Sequence, residues 1–250
     1  MTNPRLLEFA DSTAALFFGS AVRIDGPKAL LSTESYAEEM SLCPEEPFYD
    51  QRTGAFCSGS LVGPDLLMTA GHCVKTETSC KSAKFVFGFA VREKGVNPES
   101  VPAGEVYGCG KLLGREQVGA GADWALIKLD RPVLDHKPLA LNRSGKIENG
   151  APLFVIGHPA GLPTKIAGGA KVRDASPNGY FVANLDTYGG NSGSAVFNAG
   201  TGLVEGILVR GEDVTKVSAL SSSIPATVPE ALRTVRINKA FLELSETASR

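Results

Sequence analysis

The sequence predicts an all-β fold of the barrel or sandwich type, and three observations support this expectation. The 250 residues include 28 glycines and 15 prolines, which indicates many turns. Apolar stretches of about four to eight residues, rich in Val, Ile and Phe, alternate with polar stretches. Turn signals such as GPD at 63–65 and PNG at 177–179 separate them, as expected between strands.

The elements follow from these patterns in chain order. Residues 4–16 predict a short N-terminal helix, with a strand at 14–18, and residues 238–244 lack helix breakers and predict a short C-terminal helix. Long surface loops are expected at 25–54, 92–104 and 211–223, and 130–145 is expected to link two halves. The other predicted strands are 55–62, 66–70, 85–91, 125–129, 153–156, 180–184, 194–197 and 203–209.

Composition excludes several classes of function. Hydrophobic residues make up 43% of the chain, enough for a substantial core. The net charge is -2, so there is no electrostatic basis for binding nucleic acid or a membrane surface, and neither is expected as a partner. No apolar stretch approaches the roughly 20 residues of a membrane span. The acidic residues Glu8 and Asp11 interrupt the N-terminal apolar run, so it does not resemble a signal peptide.

Three segments carry residues capable of chemistry. His72 follows the apolar stretch in FCSGSLVGPDLLMTAGHCV (56–74), Asp123 opens ADWALIKL (122–129), and Ser192 lies in DTYGGNSGSAVF (186–197). Taken singly, each has an ordinary interpretation: a half-buried histidine, a solvated turn acid and a glycine-rich turn. The functional interpretation is that the acid orients the histidine and that glycines aim consecutive N–H groups at one point.

Taken together and in this order, TAGHC, DWALIKL and GGNSGSAVF resemble the trypsin/chymotrypsin-type serine peptidases over roughly residues 55–210. The GNSGS form and the GHPAGLP segment (157–163) are most similar to bacterial glutamyl endopeptidases and HtrA-type proteases. The resemblance implies two six-stranded antiparallel β-barrels with the site between them. The N-terminal barrel would span 1–135 and the C-terminal barrel 136–250.

The resemblance also implies a role for each matched residue. Ser192 would be the nucleophile, His72 the general base and Asp123 the group that orients His72. The backbone N–H groups of Gly190 and Ser192 would form the oxyanion hole. No metal or organic cofactor is required, and the partner is a protein or peptide substrate. The oligomeric state does not follow from the sequence.

Substrate-binding residues are expected on two walls. Asp186, six residues before Ser192, matches the acid at the base of the trypsin specificity pocket and predicts basic P1 residues. Leu208, Val209, Arg210 and Gly211 would form the opposing wall, and their backbone would pair with the substrate as an added strand. Glutamyl endopeptidases have a histidine where Leu208 lies, which argues against specificity for Glu. Arg210 would either favour acidic substrate residues or be paired locally.

The five cysteines predict an oxidising compartment. Cys57 and Cys73 match the family's disulfide beside the catalytic histidine. Cys80 and Cys109 flank a predicted hairpin of 85–91 with 106–107, and its register would let them face each other across it. Cys43 is then left over. If these pairs form, the protein is secreted or periplasmic.

Three further expectations concern single residues. Asn191 stands where trypsins have the aspartate that receives a newly cut N-terminus, so activation by that salt bridge is not expected. His158 is expected to be structural and His136 to be exposed to solvent.

Two alternatives to a general endopeptidase stay open. One is an esterase, or a hydrolase acting on one narrow substrate. The other is a latent, binding or chaperone module on a protease scaffold, against which the complete set of His72, Asp123 and Ser192 argues.

Overall fold

The computed structural model describes residues 3–119, 121–144, 146–211 and 235–238. Strands dominate this part of the chain, and its α-helices are short. The helices are α1 (Pro4–Asp11), α2 (Tyr36–Met40) and α3 (Glu77–Ser82). The strands are β1 (Thr13–Phe18), β2 (Val22–Asp25), β3 (Lys28–Leu31), β4 (Glu34–Ser35), β5 (Arg52–Thr53), β6 (Cys57–Gly63), β7 (Leu66–Thr69), β8 (Ala83–Val86), β9 (Ser100–Pro102), β10 (Val106–Gln117), β11 (Asp123–Leu129), β12 (Pro152–Gly157), β13 (Lys165–Asp174), β14 (Tyr180–Ala183), β15 (Ala195–Asn198), β16 (Val204–Gly211) and β17 (Val235–Asn238).

The first barrel is a closed antiparallel sheet of six strands in the order β1-β6-β7-β11-β10-β8. Successive side chains of a strand point to opposite faces, so alternate apolar residues fill the barrel. Leu16, Leu61, Leu67, Phe85 and Ile127 form this core and are fully buried. Closure leaves no strand edge exposed.

The second barrel has six strands in the order β12-β13-β14-β17-β16-β15 and is also closed and antiparallel. Its core includes Leu153, Phe181, Val196, Leu208 and Ile237. The prediction of an all-β fold with two six-stranded barrels is confirmed. The predicted boundary between residues 135 and 136 falls in the segment that joins β11 to β12.

A third apolar cluster lies between the barrels and fixes them against each other. Met68 and Trp124 of the first barrel pack there with Phe154 and Phe197 of the second. The N-terminal helix α1 closes this seam, because Phe9 stacks on Phe197 with ring centroids 5.0 Å apart. The contact surface between the barrels is therefore apolar at its centre, and the polar site residues lie at its rim.

Helix α1 begins where the sequence favours a helix start. The Asn3 side chain accepts a hydrogen bond from the Arg5 N–H, and Pro4 occupies the first turn, where its missing N–H costs nothing. The predicted N-terminal helix and the strand after it are both present. The C-terminal helix predicted at 238–244 lies outside the described residues except for Asn238, which ends β17. Among the described residues, no helix is long and apolar enough to cross a membrane.

The predicted strands all occur, but the sequence missed others. The strand predicted at 85–91 ends at Val86, and the loops predicted at 25–54 and 92–104 contain β3, β4, α2, β5 and β9. The loop predicted at 211–223 lies outside the described residues beyond Gly211. Only the first two residues of the longest strand, β10, were predicted, and they pair with β8 as the predicted hairpin requires. The rest of β10 is partly exposed and carries two register shifts in its pairing with β11, so its pattern is irregular.

His136 is buried, so the prediction that it is exposed was wrong. Its Nδ1 and Nε2 lie 2.7 Å from carboxylate oxygens of Asp11 and Glu105, respectively. The ring also stacks on Phe87 at 4.6 Å between centroids. Burial alone would lower the pKa of His136, but hydrogen bonds and charges from the two carboxylates raise it. The polar sequence around His136 gave no sign of these distant partners.

Candidate active site

His72 and Asp123 meet at the rim of the first barrel. His72 follows β7, and Asp123 opens the adjacent antiparallel strand β11. Nδ1 of His72 lies 2.9 Å from Asp123 Oδ2, and the His72 backbone N–H donates to Asp123 Oδ1 at 3.0 Å. The His72 side chain is 29% exposed, whereas that of Asp123 is 1% exposed. The carboxylate is thus held at two points, with the ring partly open to solvent.

The charge of Asp123 is stabilised by its neighbours. Burial alone would raise the pKa of Asp123, but the hydrogen bonds and charge of His72 and the charge of Arg210 lower it. A carboxylate at Nδ1 favours the tautomer whose proton is on that nitrogen, which leaves the lone pair of Nε2 as an acceptor. The arrangement therefore suits His72 to take up a proton at Nε2.

Ser192 lies in a tight turn before β15 that only a glycine-containing sequence can form. Gly193 has φ +86°, and a Cβ atom there would lie 2.2 Å from the carbonyl oxygen of Ser58. The turn is held by the N–H of Gly193 on Leu208 O at 2.7 Å and by the N–H of Ser194 on Asn191 O at 2.9 Å. The second barrel therefore fixes the backbone of Ser192 from both sides.

The backbone before Ser192 presents two N–H groups for an anion. Gly190 has φ +84°, and the carbonyl of Gly189 accepts from the N–H of Ala160. In a trans peptide the C=O and N–H groups point in opposite directions, so the N–H of Gly190 faces away from Ala160. Within the described part of the chain, the N–H groups of Gly190 and Ser192 have no acceptor.

His158 supports this turn and lies in the protein interior. Its ring is fully buried, stacks on Phe89 and has its Nδ1 2.9 Å from the carbonyl oxygen of Leu162. Burial lowers the pKa of His158 to about 4, so the ring is neutral near pH 7. These contacts agree with the structural role predicted for His158.

Ser58 is a site residue that sequence reasoning missed. Its backbone N–H donates to Ser192 O at 2.8 Å, and its hydroxyl donates to Gly190 O at 2.9 Å. The same hydroxyl accepts from the N–H of His158 at 2.9 Å. Ser58 thus connects β6 of the first barrel to the turn of the second barrel that carries Gly190 and Ser192. The only local signal is a polar residue inside a buried strand.

A disulfide fixes Ser58 relative to His72. Cys57 precedes Ser58, Cys73 follows His72, and the two cysteines are bonded. Ser192 and His72 are both described, and no hydrogen bond within 3.5 Å joins the Ser192 hydroxyl to the His72 ring. In enzymes of this kind that hydrogen bond is commonly long when no substrate is bound. One ligand atom each of Cys57, His72 and Cys73 lies within 4.8 Å of the others, but the disulfide leaves no thiolate to bind a metal.

The structure separates the predicted substrate-binding residues. Asp186 is exposed and lies between β14 and the turn that carries Ser192. Residues 212–234 are outside the described part of the chain. The Leu208 side chain packs in the core of the second barrel, and its N–H and C=O bond Ser194 and Gly193. The substrate contact expected of Leu208 stays a prediction, and its backbone groups are already used within the chain.

The end of β16, which carries the other residues expected on the substrate-binding wall, is open at one edge. Strand β16 pairs with β15 only up to Ile207, so the β15-side edge has no partner strand at Val209–Gly211 among the described residues. Val209 is buried between the barrels, and Gly211 is exposed. The Arg210 guanidinium, by contrast, turns toward Asp123, with Nη2 3.3 Å from Oδ2. The local pairing expected as one option for Arg210 is thus present.

A cavity of about 640 Å³ adjoins the turn that precedes Ser192. Gly189 and Gly190 form one wall, and Phe56, stacked on Phe18 at 4.5 Å between centroids, forms another. The segment before and within α2 supplies the third wall, which includes the carboxylates of Glu34 and Glu39. This cavity is mainly apolar, with acidic groups at its rim.

The remaining cysteines and Asn191 also have defined environments. Cys80 on α3 is bonded to Cys109 on β10, and Cys43 is free and exposed, so both predicted pairs and the leftover thiol are confirmed. Cys80 lies on α3, just before β8, and β8 pairs with β10 as the predicted hairpin requires. Asn191 is buried, and its side chain accepts from the Ser194 hydroxyl at 3.2 Å.

Comparison with known proteins is consistent with this geometry. Chymotrypsin-like elastase family member 3B of Macaca mulatta is 34% identical over 84 residues, covering 32% of this chain and 32% of that protein. A glutamyl endopeptidase of Bacillus licheniformis is 28% identical over 150 residues, covering 56% of this chain and 45% of that protein. The chain thus spans less than half the length of these curated relatives.

A solved structure of a Glu endopeptidase matches with a TM-score of 0.60 and 17% identity, covering 99% of this chain and 94% of that one, which supports the fold. A family model described as a trypsin-like peptidase domain matches residues 57–207, more than half of the chain. The resemblance found in the three motifs is therefore confirmed, and the chain belongs to the family of trypsin-like peptidase domains.

Proposed function

We propose that this protein is a serine endopeptidase that hydrolyses peptide bonds through an acyl-enzyme on Ser192. The observation that carries the proposal is the buried Asp123 carboxylate bonded to His72 Nδ1 beside a glycine-built turn that holds Ser192. Family membership supports peptidase chemistry. A carboxylate, an imidazole and a hydroxyl in this order suffice for nucleophilic acyl transfer.

In the proposed reaction, Ser192 Oγ bonds to the peptide carbonyl carbon while its proton moves to His72 Nε2. The carbonyl oxygen becomes an anion and accepts hydrogen bonds from the N–H groups of Gly190 and Ser192. The C–N bond then breaks, and His72 returns its proton to the leaving amine. Water attacks the acyl-enzyme by the same route, so that the acid is released and Ser192 regains its proton.

The proposed substrates are proteins or peptides with Arg or Lys at P1. Asp186 supports this preference by its position six residues before Ser192. The buried Leu208 offers no positive charge to a glutamate side chain, which argues against the preference that the name of the Bacillus relative implies. Backbone groups of residues 209–211, at the open edge of β16, are available to pair with the substrate as an added strand.

The proposed location is extracellular or periplasmic. Two disulfides join cysteines that are distant in sequence, and such bonds persist in oxidising compartments. The buried Asn191 gives no carboxylate for a trypsin-like activation salt bridge, so the proposed enzyme is active without a newly cut N-terminus.

A peptide library with every residue type at P1, incubated with the wild type and with Ser192→Ala, tests the proposal. Cleavage by the wild type alone, after Arg or Lys, is the expected result. Cleavage by the wild type alone after Glu or small apolar residues would keep the enzyme and remove Asp186 from its specificity. Equal results for the two proteins, with binding retained, would instead support a latent or binding module, and turnover of esters alone would support an esterase.

A further inference from the structure

Arg210 is a second-barrel residue whose guanidinium reaches a carboxylate of the first barrel. Its Nη2 lies 3.3 Å from Asp123 Oδ2, the same oxygen that lies 2.9 Å from His72 Nδ1. The Arg210 side chain is 28% exposed, whereas that of Asp123 is 1% exposed. The buried carboxylate thus has two neighbours able to carry positive charge, and only the guanidinium carries it at every pH of interest.

The strand that carries Arg210 is built to direct it there. Ile207 and Val209 pack between the barrels in the same cluster as Trp124, the residue after Asp123. A register shift in the pairing of β16 with β17 then falls between Leu208 and Arg210. Such a bulge changes the direction of the side chain that follows it. Packing of the two barrels therefore fixes the distance between the guanidinium and Asp123.

A carboxylate this deeply buried needs compensation from charges and hydrogen bonds. On the neighbouring strand β10, the charged side chains of Arg115 and Glu116 have other partners. Arg115 Nε donates to the carbonyl of Gly71 at 2.7 Å, and Glu116 accepts from the indole N–H of Trp124 at 3.2 Å. Within the described part of the chain, Arg210 is therefore the one arginine or lysine bonded to Asp123.

We propose that Arg210 is a positioning residue for catalysis: its charge keeps the Asp123 carboxylate ionised and oriented toward Nδ1 of His72. This inference rests on the proposed function and replaces the substrate-binding role first expected for Arg210. A hydrogen bond from a guanidinium fixes the rotation of a carboxylate as well as its charge. The same positive charge lies close to the His72 ring, so its removal should favour protonation of that ring.

The size of this effect follows from the shared oxygen. Because both groups contact Oδ2, the guanidinium nitrogen and Nδ1 of His72 lie no more than about 6 Å apart. At an effective dielectric constant between about 40 and 80, removing one charge at that distance shifts a protonation midpoint by roughly 0.5–1 pH unit. Loss of the orienting hydrogen bond should also lower kcat, by about tenfold or more.

The test compares Arg210→Met, which removes the charge, with Arg210→Lys, which keeps it. Arg23→Met is the matched control, because Arg23 is exposed and forms an ion pair with Asp25 on its own strand. The measurements are kcat and KM from pH 5 to 9 on a peptide whose cleavage requires Ser192, with thermal unfolding to verify folding. Arg210→Met should lower kcat with little change in KM and move the acidic limb upward by 0.5–1 pH unit. Arg210→Lys should keep the acidic limb near that of the wild type.

Other results would overturn the inference. A rise in KM alone would return Arg210 to substrate binding, and an unchanged acidic limb in folded Arg210→Met would refute the electrostatic role. An NMR titration of His72 in the ¹⁵N-histidine-labelled protein, which has three histidines, needs no substrate. If the wild type cleaves nothing, the proposed function fails while this titration still tests Arg210. An upward shift of the midpoint in Arg210→Met would support the inference, and equal midpoints in both proteins would reject it.

Discussion

Replacing Ser58 by alanine should weaken both the fold and the oxyanion hole. The Ser58 hydroxyl donates to Gly190 O and accepts from the N–H of His158, each at 2.9 Å, so the substitution removes two hydrogen bonds with one oxygen atom. Ser58 and His158 are fully buried, so water cannot easily replace these bonds. The backbone bond from the Ser58 N–H to Ser192 O remains, so the nucleophile keeps its anchor.

The expected magnitudes follow from the groups left unpaired. An unsatisfied buried donor or acceptor costs about 1–3 kcal/mol. Gly190 is partly exposed and can regain water, so the total loss of unfolding free energy should be about 2–3 kcal/mol. The Gly190 peptide also loses the contact that fixes its plane. Complete loss of one oxyanion donor costs about 3–4 kcal/mol, so a partial loss should lower kcat about 10- to 100-fold.

Ser60→Ala is the matched control, because Ser60 lies on the same strand and is equally buried. Within the described residues, the Ser60 hydroxyl has no hydrogen-bond partner, so its removal should change the unfolding free energy by less than about 1 kcal/mol. Urea unfolding can be followed by fluorescence of the single tryptophan, Trp124, which is buried between the barrels. Equal losses of stability in both variants, or an unchanged kcat in Ser58→Ala, would refute the reasoning.

Three further predictions concern regions outside the triad. The pKa of His136 is raised, so the stability it contributes is complete below the unfolded value of about 6.5 and is lost as pH rises through the folded value. Urea unfolding from pH 5 to 9 should show this decline in the wild type and lack it in His136→Gln. Iodoacetamide should modify one thiol, that of Cys43, in the native protein, and a mass increase of five adducts before reduction would contradict both disulfides. Peptides with a basic residue just after the scissile bond should be cleaved faster, because Glu34 and Glu39 line the cavity next to Gly190. The double variant Glu34→Gln, Glu39→Gln should lose this preference. An unchanged preference would show that this cavity does not bind the residue after the scissile bond.

The positions of strands could be predicted from the sequence where most residues of the strand are apolar and buried. β7 and β11 are nearly continuous apolar runs, so their positions follow from composition alone. β10 is different, because two glycines and the charged residues Lys111, Arg115 and Glu116 occupy its more exposed half, and register shifts break its period. β13 has the same character, with an exposed glycine pair in its centre. Such strands are stabilised by pairing with their neighbours, which a local pattern does not reveal.

The candidate site divides in the same way. His72, Asp123 and Ser192 were predicted because each lies in a distinctive local motif, and the Cys57–Cys73 disulfide came with the first of them. The place of Leu208 in the core of the second barrel follows from alternation along β16, which the sequence analysis did not consider. His136 was missed as a buried residue because its two partners lie 31 and 125 residues away. A local motif can point to a catalytic residue type, whereas the burial of residues such as His136 depends on partners that are distant in sequence.

Ser58 and Ser60 show why no refinement of local patterns would close this gap. Both are serines on one strand, two residues apart, on the same face of the pleat and fully buried. A rule that flags polar residues inside apolar strands selects both equally. One hydroxyl nevertheless connects the two barrels beside the nucleophile, and the other has no partner among the described residues. The difference arises solely from where the second barrel docks, because His158 and Gly190 meet one serine and not the other. The role of a buried hydroxyl in this protein is therefore a property of the assembled pair of barrels, which is why the two alanine variants must be compared with each other.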